Sequence, residues 1–384
     1  MALRAVRFLQ TGDWQLGMTR HFLSEDAQAR FAQARIDAVR ALGRLARESG
    51  CELMLVCGDV FESNRVDRRT VARALDALAE VSVPVYLLPG NHDPLEPASV
   101  YRSATFEARR PPHVTVLDGE TPLEVRPGVE IVAAPWRSKR PAGDTLALAC
   151  AKLPERVPPE RGGPLRIVAA HGGVDVLAQQ RSDPSVIRLA DAEATLQTAV
   201  DYVALGDRHS LTALGASGRI HYAGTPEPTD FDEESPGFAL LVELSAASVQ
   251  VEPLRVGRWR FVRHEAELRG ADDLRALLRW LDLQADKERS VVELVLSGTV
   301  GLGLRAELDA ALALQRDRFA TLRESTTRSR LVVATSEREL EDLPLEGYGR
   351  RALERLRELT REGSDAECAR DALALLHRLV AGAP

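Results

Sequence analysis

Five short motifs in the first 210 residues place a small residue beside aspartate, asparagine or histidine. They are Gly12-Asp13-Trp14-Gln15, Gly58-Asp59-Val60-Phe61, Gly90-Asn91-His92-Asp93, Ala170-His171-Gly172 and Gly206-Asp207-Arg208-His209. Carboxylate, amide and imidazole groups bind the divalent metals that activate water in phosphate chemistry, where one carboxylate bridges two ions about 3.5–4 Å apart. One Gly-Asp after a strand is more typical of a turn. Five such motifs in this order predict one site for two metal ions.

Each motif follows a short apolar segment whose pattern predicts a β-strand. These five strands cover residues 6–10, 53–57, 85–88, 165–170 and 202–205. Two amphipathic stretches, residues 24–49 and 67–81, have apolar side chains at helical spacing between the first three strands. Alternating strands and helices predict parallel strands that are buried on both faces. Because the carboxyl ends of parallel strands open on one edge of a sheet, we expect the motifs to converge there.

Further strand-like segments, separated by proline and glycine turns, follow residue 110. They cover residues 113–117, 122–125, 129–133, 238–244 and 249–253. The last two have the pattern of a closing hairpin. Taken with the first strands, they predict an α/β fold of two stacked mixed sheets flanked by helices.

The pattern changes near residues 255–260. A strand–helix–strand–helix order then predicts a small α+β domain, and a tail with two amphipathic helices follows, divided at Gly363-Ser364-Asp365. We therefore expect three parts: residues 1–255, 256–340 and 341–384.

The composition is that of a globular protein, with 384 residues of which 45% are hydrophobic and 28% charged. No apolar run approaches the length of a membrane span, and no signal peptide is recognisable. The four cysteines form no C-x-x-C pair, which favours a reducing compartment. These features predict a cytoplasmic protein that does not bind membranes. The net charge of −7 does not indicate a basic nucleic-acid-binding face, yet it excludes none, because bound metal ions add local positive charge.

The order of the five motifs resembles that of the calcineurin-like metallophosphoesterase superfamily. Three stretches are similar, more narrowly, to the SbcD/Mre-type DNA repair nucleases: residues 8–17, residues 58–61, and residues 202–233 with their Tyr-Ala-Gly-Thr-Pro-Glu and Asp-Phe-Asp-Glu segments. The likeness covers roughly residues 6–245. It implies a four-layer α-β-β-α metallophosphoesterase sandwich with a small α+β capping domain and a helical C-terminal tail.

The same resemblance implies what the protein does and with what it works. The activity would be that of a metal-dependent DNA exonuclease or endonuclease of DNA repair. Its cofactors would be two divalent ions, Mn²⁺ above all and Mg²⁺ as an alternative. Its partners would be DNA, a coiled-coil ATPase subunit and a second copy of the chain in a homodimer.

Residue by residue, the resemblance assigns metal ligands to the strand-end motifs. Asp13 and His209 would hold the first metal ion, with Asp59 bridging both ions. Asn91, through its amide oxygen, and His171 would hold the second.

Catalytic and substrate-binding roles fall on the neighbours of these ligands. His92 would protonate or stabilise the leaving oxygen, since imidazole exchanges protons near neutral pH, and Asp93 would orient His92 or its loop. Arg208 would contact the substrate phosphate or lie in solvent. Two metal positions depart from the family, which has histidine at both Gln15 and Asp207. The two changes replace imidazole with harder, oxygen-containing side chains and add negative charge, which favours manganese or magnesium.

The sequence is also consistent with two other functions. The same metal site would serve a phosphodiesterase for a small nucleotide or other ester, or the changes at Gln15 and Asp207 would leave a non-catalytic scaffold. The leucine-rich tail helices would either dock on the ATPase partner or pack against the chain's own domains.

Overall fold

The computed structural model describes residues 5–119, 121–154, 156–178, 183–334, 343–360 and 366–380. The chain forms two compact units. Unit 1 comprises Met1–His21 and Gln28–Trp259, and unit 2 comprises Phe22–Ala27 and Arg260–Pro384. The expected division into three parts stays a prediction, because residues 340 and 341 at its second boundary lie outside the described residues.

Unit 1 contains twelve described strands, which form two sheets. In chain order they are β1 Ala5–Thr11, β2 Leu53–Cys57, β3 Val85–Leu88, β4 Val114–Val116, β5 Leu123–Arg126, β6 Val129–Ala134, β7 Leu165–His171, β8 Tyr202–Gly206, β9 Thr212–Leu214, β10 Ile220–Tyr222, β11 Phe238–Ser245 and β12 Val249–Arg255. The first sheet has the order β12-β11-β1-β2-β3-β4 and the second β5-β6-β7-β8-β10-β9. Both sheets are mixed, because β1 to β4 and β6 to β8 are parallel while the edge hairpins are antiparallel.

Apart from the long first helix, the helices and helical turns associated with unit 1 are short. They are α1 Glu25–Glu48, α2 Arg68–Ala79, α3 Ala104–Arg109, α4 Thr145–Cys150 and α5 Leu189–Thr198, with 3₁₀ turns at Val100–Arg102 and Pro159–Arg161. The helix α2 begins where the carboxylate of Asp67 caps it by accepting from the Thr70 amide.

Three apolar clusters show that unit 1 is layered. Alternate residues of β2 face opposite sides, so Leu55 packs between the two sheets while Met54 packs towards α1 and α2. On the other side, Val168 of β7 packs against Leu146 of α4 and Leu196 of α5. The layers are therefore helix, sheet, sheet and helix, and the predicted fold of two stacked mixed sheets flanked by helices is confirmed.

Unit 2 is built on a parallel sheet. Its elements are β13 Arg260–Leu268, α6 Ala271–Leu283, a 3₁₀ turn at Lys287–Arg289, β14 Ser290–Gly301, α7 Leu302–Arg316, β15 Thr321–Glu324, β16 Arg330–Ala334, α8 Gly347–Leu359 and α9 Ala366–Val380. The long strand β14 pairs with β13 on one edge and with β15 and then β16 on the other. The predicted strand–helix–strand–helix order is present in this unit.

The two tail helices pack within unit 2. Leu353 of α8 and Leu373 of α9 are buried against Leu302 and Leu343, which favours the reading of self-packing. Leu375 and Leu379 of α9 are exposed. The predicted break at residues 363–365 lies outside the described residues. Among the helices that the structure describes, none combines the length and apolarity that crossing a membrane requires.

Candidate metal centre

The five motifs meet at one end of the two sheets. They follow the carboxyl ends of β1, β2 and β3, which are neighbours in the first sheet, and of β7 and β8, which are neighbours in the second. Backbone bonds join the loops within a sheet, since the Asp13 amide donates to the Gly58 carbonyl at 3.0 Å. Side chains join them across sheets, since Asp13 Oδ1 accepts from the Asp207 amide at 3.0 Å. The convergence predicted from the strand-end positions is thus present in the structure.

The backbone is strained at the motifs. Only five described residues other than glycine have a positive φ, and four of them belong to the predicted ligand set: Asp13 (53°), Gln15 (44°), Asp59 (53°) and Asp207 (101°). Such conformations cost of order 1–3 kcal/mol each and persist where the surrounding structure holds a functional site in place. Their concentration here marks this end of the sheets as the functional site.

Glycine is required where the loops approach most closely. A Cβ added at Gly90 would lie 2.1 Å from Asp59 Oδ1, and one added at Gly58 would lie 2.1 Å from His171 Nδ1. Neither contact is sterically possible, so any larger residue would push a predicted ligand out of position. The glycines of these two motifs therefore hold the ligands together.

One half of the site gathers three side chains around His171. The His171 Nε2 atom lies 3.4 Å from Asp59 Oδ1, 3.1 Å from Asn91 Oδ1 and 3.7 Å from Asp207 Oδ1. Ligand atoms of Asp59, His171 and Asp13 all lie within 4.8 Å of one another. This half offers a nitrogen and three oxygens to one cation.

The other half comprises Asp13, Gln15 and His209. The Gln15 Nε2 and His209 Nε2 atoms are 3.4 Å apart. Gln15 is 2% exposed, and its Oε1 atom is buried without a hydrogen-bond partner among the described residues. The side-chain amide of Gln15 thus lies beside the imidazole, and its orphaned oxygen suits a cation that would take both residues as ligands. Asp59, next to both halves, is placed to bridge two ions.

Hydrogen bonds orient the two histidines of the site. Nδ1 of His171 lies 2.9 Å from the Cys57 carbonyl oxygen, so this nitrogen carries the proton and donates it. Nδ1 of His209 lies 2.8 Å from Thr229 Oγ1 and 2.9 Å from Glu233 Oε1, to which it donates in the same way. In both rings Nε2 faces the site, and it would offer its lone pair to a metal ion once the ring is neutral.

Three buried or half-buried carboxyl groups lie together in this region, and burial opposes their negative charge. Burial raises the pKa of Asp13 to about 7, with Asp59 and Asp207 adding to the rise and the histidines opposing it. Burial also raises the pKa of Asp207. At Asp59, the charge and hydrogen bond of His171 outweigh burial and lower the pKa. Three carboxylates held this close need a compensating cation, so the residues present fit a centre of two divalent ions.

His92 lies at the entrance of the site. Its side chain is 37% exposed, its Nδ1 donates to the Glu62 carbonyl oxygen at 2.8 Å, and its Nε2 lies 4.0 Å from Asp59 Oδ2. The backbone amide of His92 also donates to Asp59 Oδ1 at 2.9 Å. The ring is therefore fixed, with Nε2 facing Asp59 and the candidate metal centre.

Asp93 supports the loop and not the imidazole of His92. Its buried carboxylate accepts hydrogen bonds from the Phe61 amide at 3.0 Å, the Gly90 amide at 2.8 Å and the Tyr101 hydroxyl at 2.7 Å. Of the two roles expected for Asp93, the structure favours the second, so Asp93 is a positioning residue that ties the loops after β2 and β3 together.

Arg208 stands at the opening of a cavity of about 470 Å³ that reaches the metal centre. Its Nε donates to Thr212 Oγ1 at 2.7 Å, and its Nη2 lies 3.8 Å from Glu234 Oε2. The side chain is 30% exposed, so it borders the cavity while remaining anchored on its own loop.

Several residues around the site are not predictable from the motifs. Glu233 and Thr229, which hold His209, lie in the segment that sequence analysis singles out only by resemblance. Trp136 is buried and donates from Nε1 to the His171 carbonyl at 2.6 Å. Arg35 lies on α1 and donates to the Trp14 carbonyl at 2.9 Å. The sequence indicates a buried position for Arg35 in one way: it lies one helical turn after Phe31, on the buried side of α1.

The fold and the site together define a metallophosphoesterase. The chain belongs to the calcineurin-like phosphoesterase family, whose sequence model matches residues 6–242, and this family hydrolyses phosphate esters at a centre of two divalent metal ions. No curated protein sequence matches the chain.

Two solved structures are similar to the chain over nearly all of their own length. TT1561 of Thermus thermophilus is 14% identical, with 66% of this chain and 100% of that chain covered and a TM-score of 0.40. A dimetal phosphatase from Danio rerio is 13% identical, with 64% of this chain and 98% of that chain covered and a TM-score of 0.37.

Proposed function

We propose that this metallophosphoesterase is a DNA nuclease of DNA repair that hydrolyses phosphodiester bonds with two Mn²⁺ ions, or Mg²⁺ in their place. One observation carries the proposal. The segment whose sequence resembles the SbcD/Mre-type nucleases is also the one that holds a metal ligand, since Thr229 and Glu233 both bond His209 Nδ1. A feature that generic phosphoesterases do not need is therefore built into the metal centre of this chain.

The choice of metal follows from the donor set. Asp13, Gln15 and His209 would hold one ion; Asn91, His171 and Asp207 would hold the other; and Asp59 would contact both. Each half offers one imidazole among oxygen donors, which suits Mn²⁺ and Mg²⁺ better than softer ions. When bound, the two cations supply an activated water and neutralise charge on the phosphate.

The chain's own residues then orient the reaction. His92, fixed through Nδ1, presents Nε2 to the substrate and is placed to pass a proton to the leaving oxygen. Arg208 at the cavity opening would contact a non-bridging or neighbouring phosphate. Asp93 and Tyr101 keep the loop of His92 rigid, which preserves the alignment of the proton donor.

We also propose a coiled-coil ATPase subunit and a second copy of the chain as partners. Exposed apolar side chains on the tail support this part of the proposal. Tyr348 of α8 is 81% exposed, and Leu379 of α9 is 68% exposed. Large exposed apolar side chains on amphipathic helices are typical of helix-mediated contacts.

The test is Mn²⁺-dependent release of nucleotides from linear duplex DNA by the purified chain. Activity should vanish with chelator and in His92→Ala. His113→Ala is the matched control, since His113 precedes β4 at the opposite end of the strands and should leave activity unchanged. No release of nucleotides with either metal would reject the nuclease.

A small phosphate diester is the second candidate substrate, and one observation favours it. The cavity at the metal centre is bordered by the acidic residues Glu62, Asp230 and Asp232, which repel a polyanion. Hydrolysis of bis(p-nitrophenyl) phosphate without any cleavage of DNA would select this candidate.

A further inference from the structure

A second cavity of unit 1 has a volume of about 310 Å³ and shares no residue with the cavity at the metal centre. Its lining comes from the end of β6, the loop that follows it, α4 and Gly119. We propose that this cavity, the anion cavity, binds a nucleotide, with the base on its apolar floor and the phosphate at its basic rim. Only the source of the nucleotide rests on the proposed nuclease function.

The floor is a gap at the edge of the second sheet. The edge strand β5 pairs with β6 only as far as Ile131, so Ala133 and Ala134 have no strand beside them on that side among the described residues. Pro135 and Leu148 complete an apolar surface around these alanines. The volume is within the range of pockets that enclose small organic ligands, about 300–1,000 Å³.

The rim of the cavity carries three basic side chains. Arg137, Arg140 and Lys152 are all exposed and border the cavity. Arg137 also donates to the Asp118 carbonyl, which anchors its guanidinium at this position. Several cations around an apolar floor suit an organic phosphate, whose charge they balance and whose apolar body they leave on the floor.

One hydroxyl group in the wall of the anion cavity lacks a hydrogen-bond partner among the described residues. Thr145 Oγ1 is shielded from solvent and has no hydrogen-bond partner among the described residues. Buried hydroxyls are almost always paired, so an unpaired one that lines a cavity indicates a ligand atom. Rotation of the Thr145 side chain would turn this hydroxyl to the cavity, where a phosphate or sugar oxygen of the nucleotide would supply the partner.

The anion cavity is connected to the metal centre through one side chain. Arg137 directly follows Trp136, whose Nε1 donates to the carbonyl of the predicted ligand His171 and whose amide donates to the Pro89 carbonyl. A nucleotide in the anion cavity would therefore lie close to the residues that support the candidate metal centre.

Two sources would supply a nucleotide to the anion cavity: a nucleotide within a DNA strand and a free mononucleotide released by the reaction.

Calorimetric titration of the full chain with deoxyadenosine monophosphate in EDTA tests the proposal. Chelator removes binding through metal ions, so the binding that remains reports the anion cavity. We expect one site per chain and much weaker binding of deoxyadenosine, which lacks the phosphate. Displacement by an unphosphorylated oligonucleotide of about ten residues would identify a strand nucleotide as the ligand, and failure to displace would identify the free mononucleotide.

Two variants and a control locate the site. Arg140→Glu should weaken binding about tenfold by charge reversal, and Thr145→Val should weaken it severalfold at constant shape. Arg44→Glu, a charge reversal at an exposed position of α1, should change nothing. The proposal is overturned if neither the mononucleotide nor the oligonucleotide binds in EDTA, or if both cavity variants bind like the parent. A chain that is inactive on DNA yet binds the mononucleotide in EDTA would reject the nuclease and keep this site.

Discussion

Glu233 accepts a hydrogen bond from Nδ1 of His209 at 2.9 Å and thereby turns the other ring nitrogen towards the metal centre. The carboxylate is itself fixed, because both of its oxygens accept from the Thr229 amide and its side chain is 7% exposed. A buried carboxylate behind an imidazole sets the tautomer and strengthens nitrogen as a ligand. Glu233 thus positions His209, which is a predicted metal ligand.

Replacing Glu233 should weaken metal binding without unfolding unit 1. We expect Glu233→Ala to lower the affinity for Mn²⁺ by about 10–100-fold, because His209 loses the group that fixes its tautomer. Glu233→Gln should lie between this variant and the parent, since an amide oxygen still accepts the bond without a charge. Calorimetric titration with Mn²⁺ measures the effect, and a circular dichroism melt checks the fold.

The neighbouring Glu234 provides the control for Glu233. Its side chain is 82% exposed and lies 3.8 Å from Arg208. Glu234→Ala should leave Mn²⁺ affinity unchanged. Equal losses in the two alanine variants would show that general charge near the cavity, and not the bond to His209, determines affinity.

Gln15→His should restore the imidazole that the family has at this position. The orphaned Gln15 Oε1 lies in the same half of the site as His209, and an imidazole nitrogen there is a stronger ligand for first-row metals. We expect the affinity for Zn²⁺ to rise about tenfold relative to that for Mg²⁺, because Mg²⁺ prefers oxygen. Competition titrations with the two metals measure the ratio. Histidine tolerates the positive φ of 44° at this position, so the backbone needs no change. An unchanged ratio would mean that residue 15 does not contact a metal.

Metal affinity should rise with pH up to about 7. Burial, with Asp59 and Asp207 nearby, raises the pKa of Asp13 to about 7 in the metal-free protein. Below this pH Asp13 is protonated, and a cation must displace the proton; above it the carboxylate is ready to bind. We therefore expect the Mn²⁺ affinity to fall below pH 7 by about tenfold per pH unit for the Asp13 carboxyl alone, and the raised pKa of His171 and His209 adds to this loss. Calorimetry in buffers of different ionisation enthalpy counts the protons, with more released at pH 5.5, where Asp13 is protonated, than at pH 8.5. Release of equal numbers at both would contradict the role of Asp13.

Sequence analysis identifies the parts of the site that are local in the chain. Asp59 and Asn91 are predictable because each lies within three positions of the end of a buried strand. The contact between Glu233 and His209 is not, because it joins two loops 24 residues apart and depends on how the second loop folds back. The role of Trp136 is equally hidden, since only the parallel pairing of β6 with β7 brings its indole to the His171 carbonyl.

The fold shows the same division between local and long-range information. The long helix α1 and the strands β1 to β3 have clear periodicity, and they are present where it predicts them. The elements missing from the sequence analysis are short, such as β9, β10, α3, α4 and α5, with at most ten residues each. Three-residue strands such as β10 exist because β8 and β9 pair with them, which no local pattern encodes.

Arg35 connects two loops of the site through the hydrogen bonds of its guanidinium group. Its replacement should therefore lower both the free energy of unfolding and the affinity for metal. It is 2% exposed, and burial lowers its pKa to about 10, so the guanidinium stays charged at neutral pH. Its Nη1 donates to the carbonyl of Trp14, between two predicted ligands, and its Nη2 to the carbonyls of Glu227 and Pro228 at 3.4 and 3.3 Å.

Arg35→Met keeps much of the apolar stem but leaves three carbonyls without their donor. We expect it to lower the free energy of unfolding by about 3 kcal/mol, measured by urea denaturation, and to weaken Mn²⁺ binding because the Trp14 loop is no longer held. Arg44→Met, at an exposed position of the same helix, should change the free energy of unfolding by less than about 0.5 kcal/mol. If Arg35→Met destabilises the fold while Mn²⁺ affinity stays at the parent value, Arg35 supports α1 alone and does not position the metal loop.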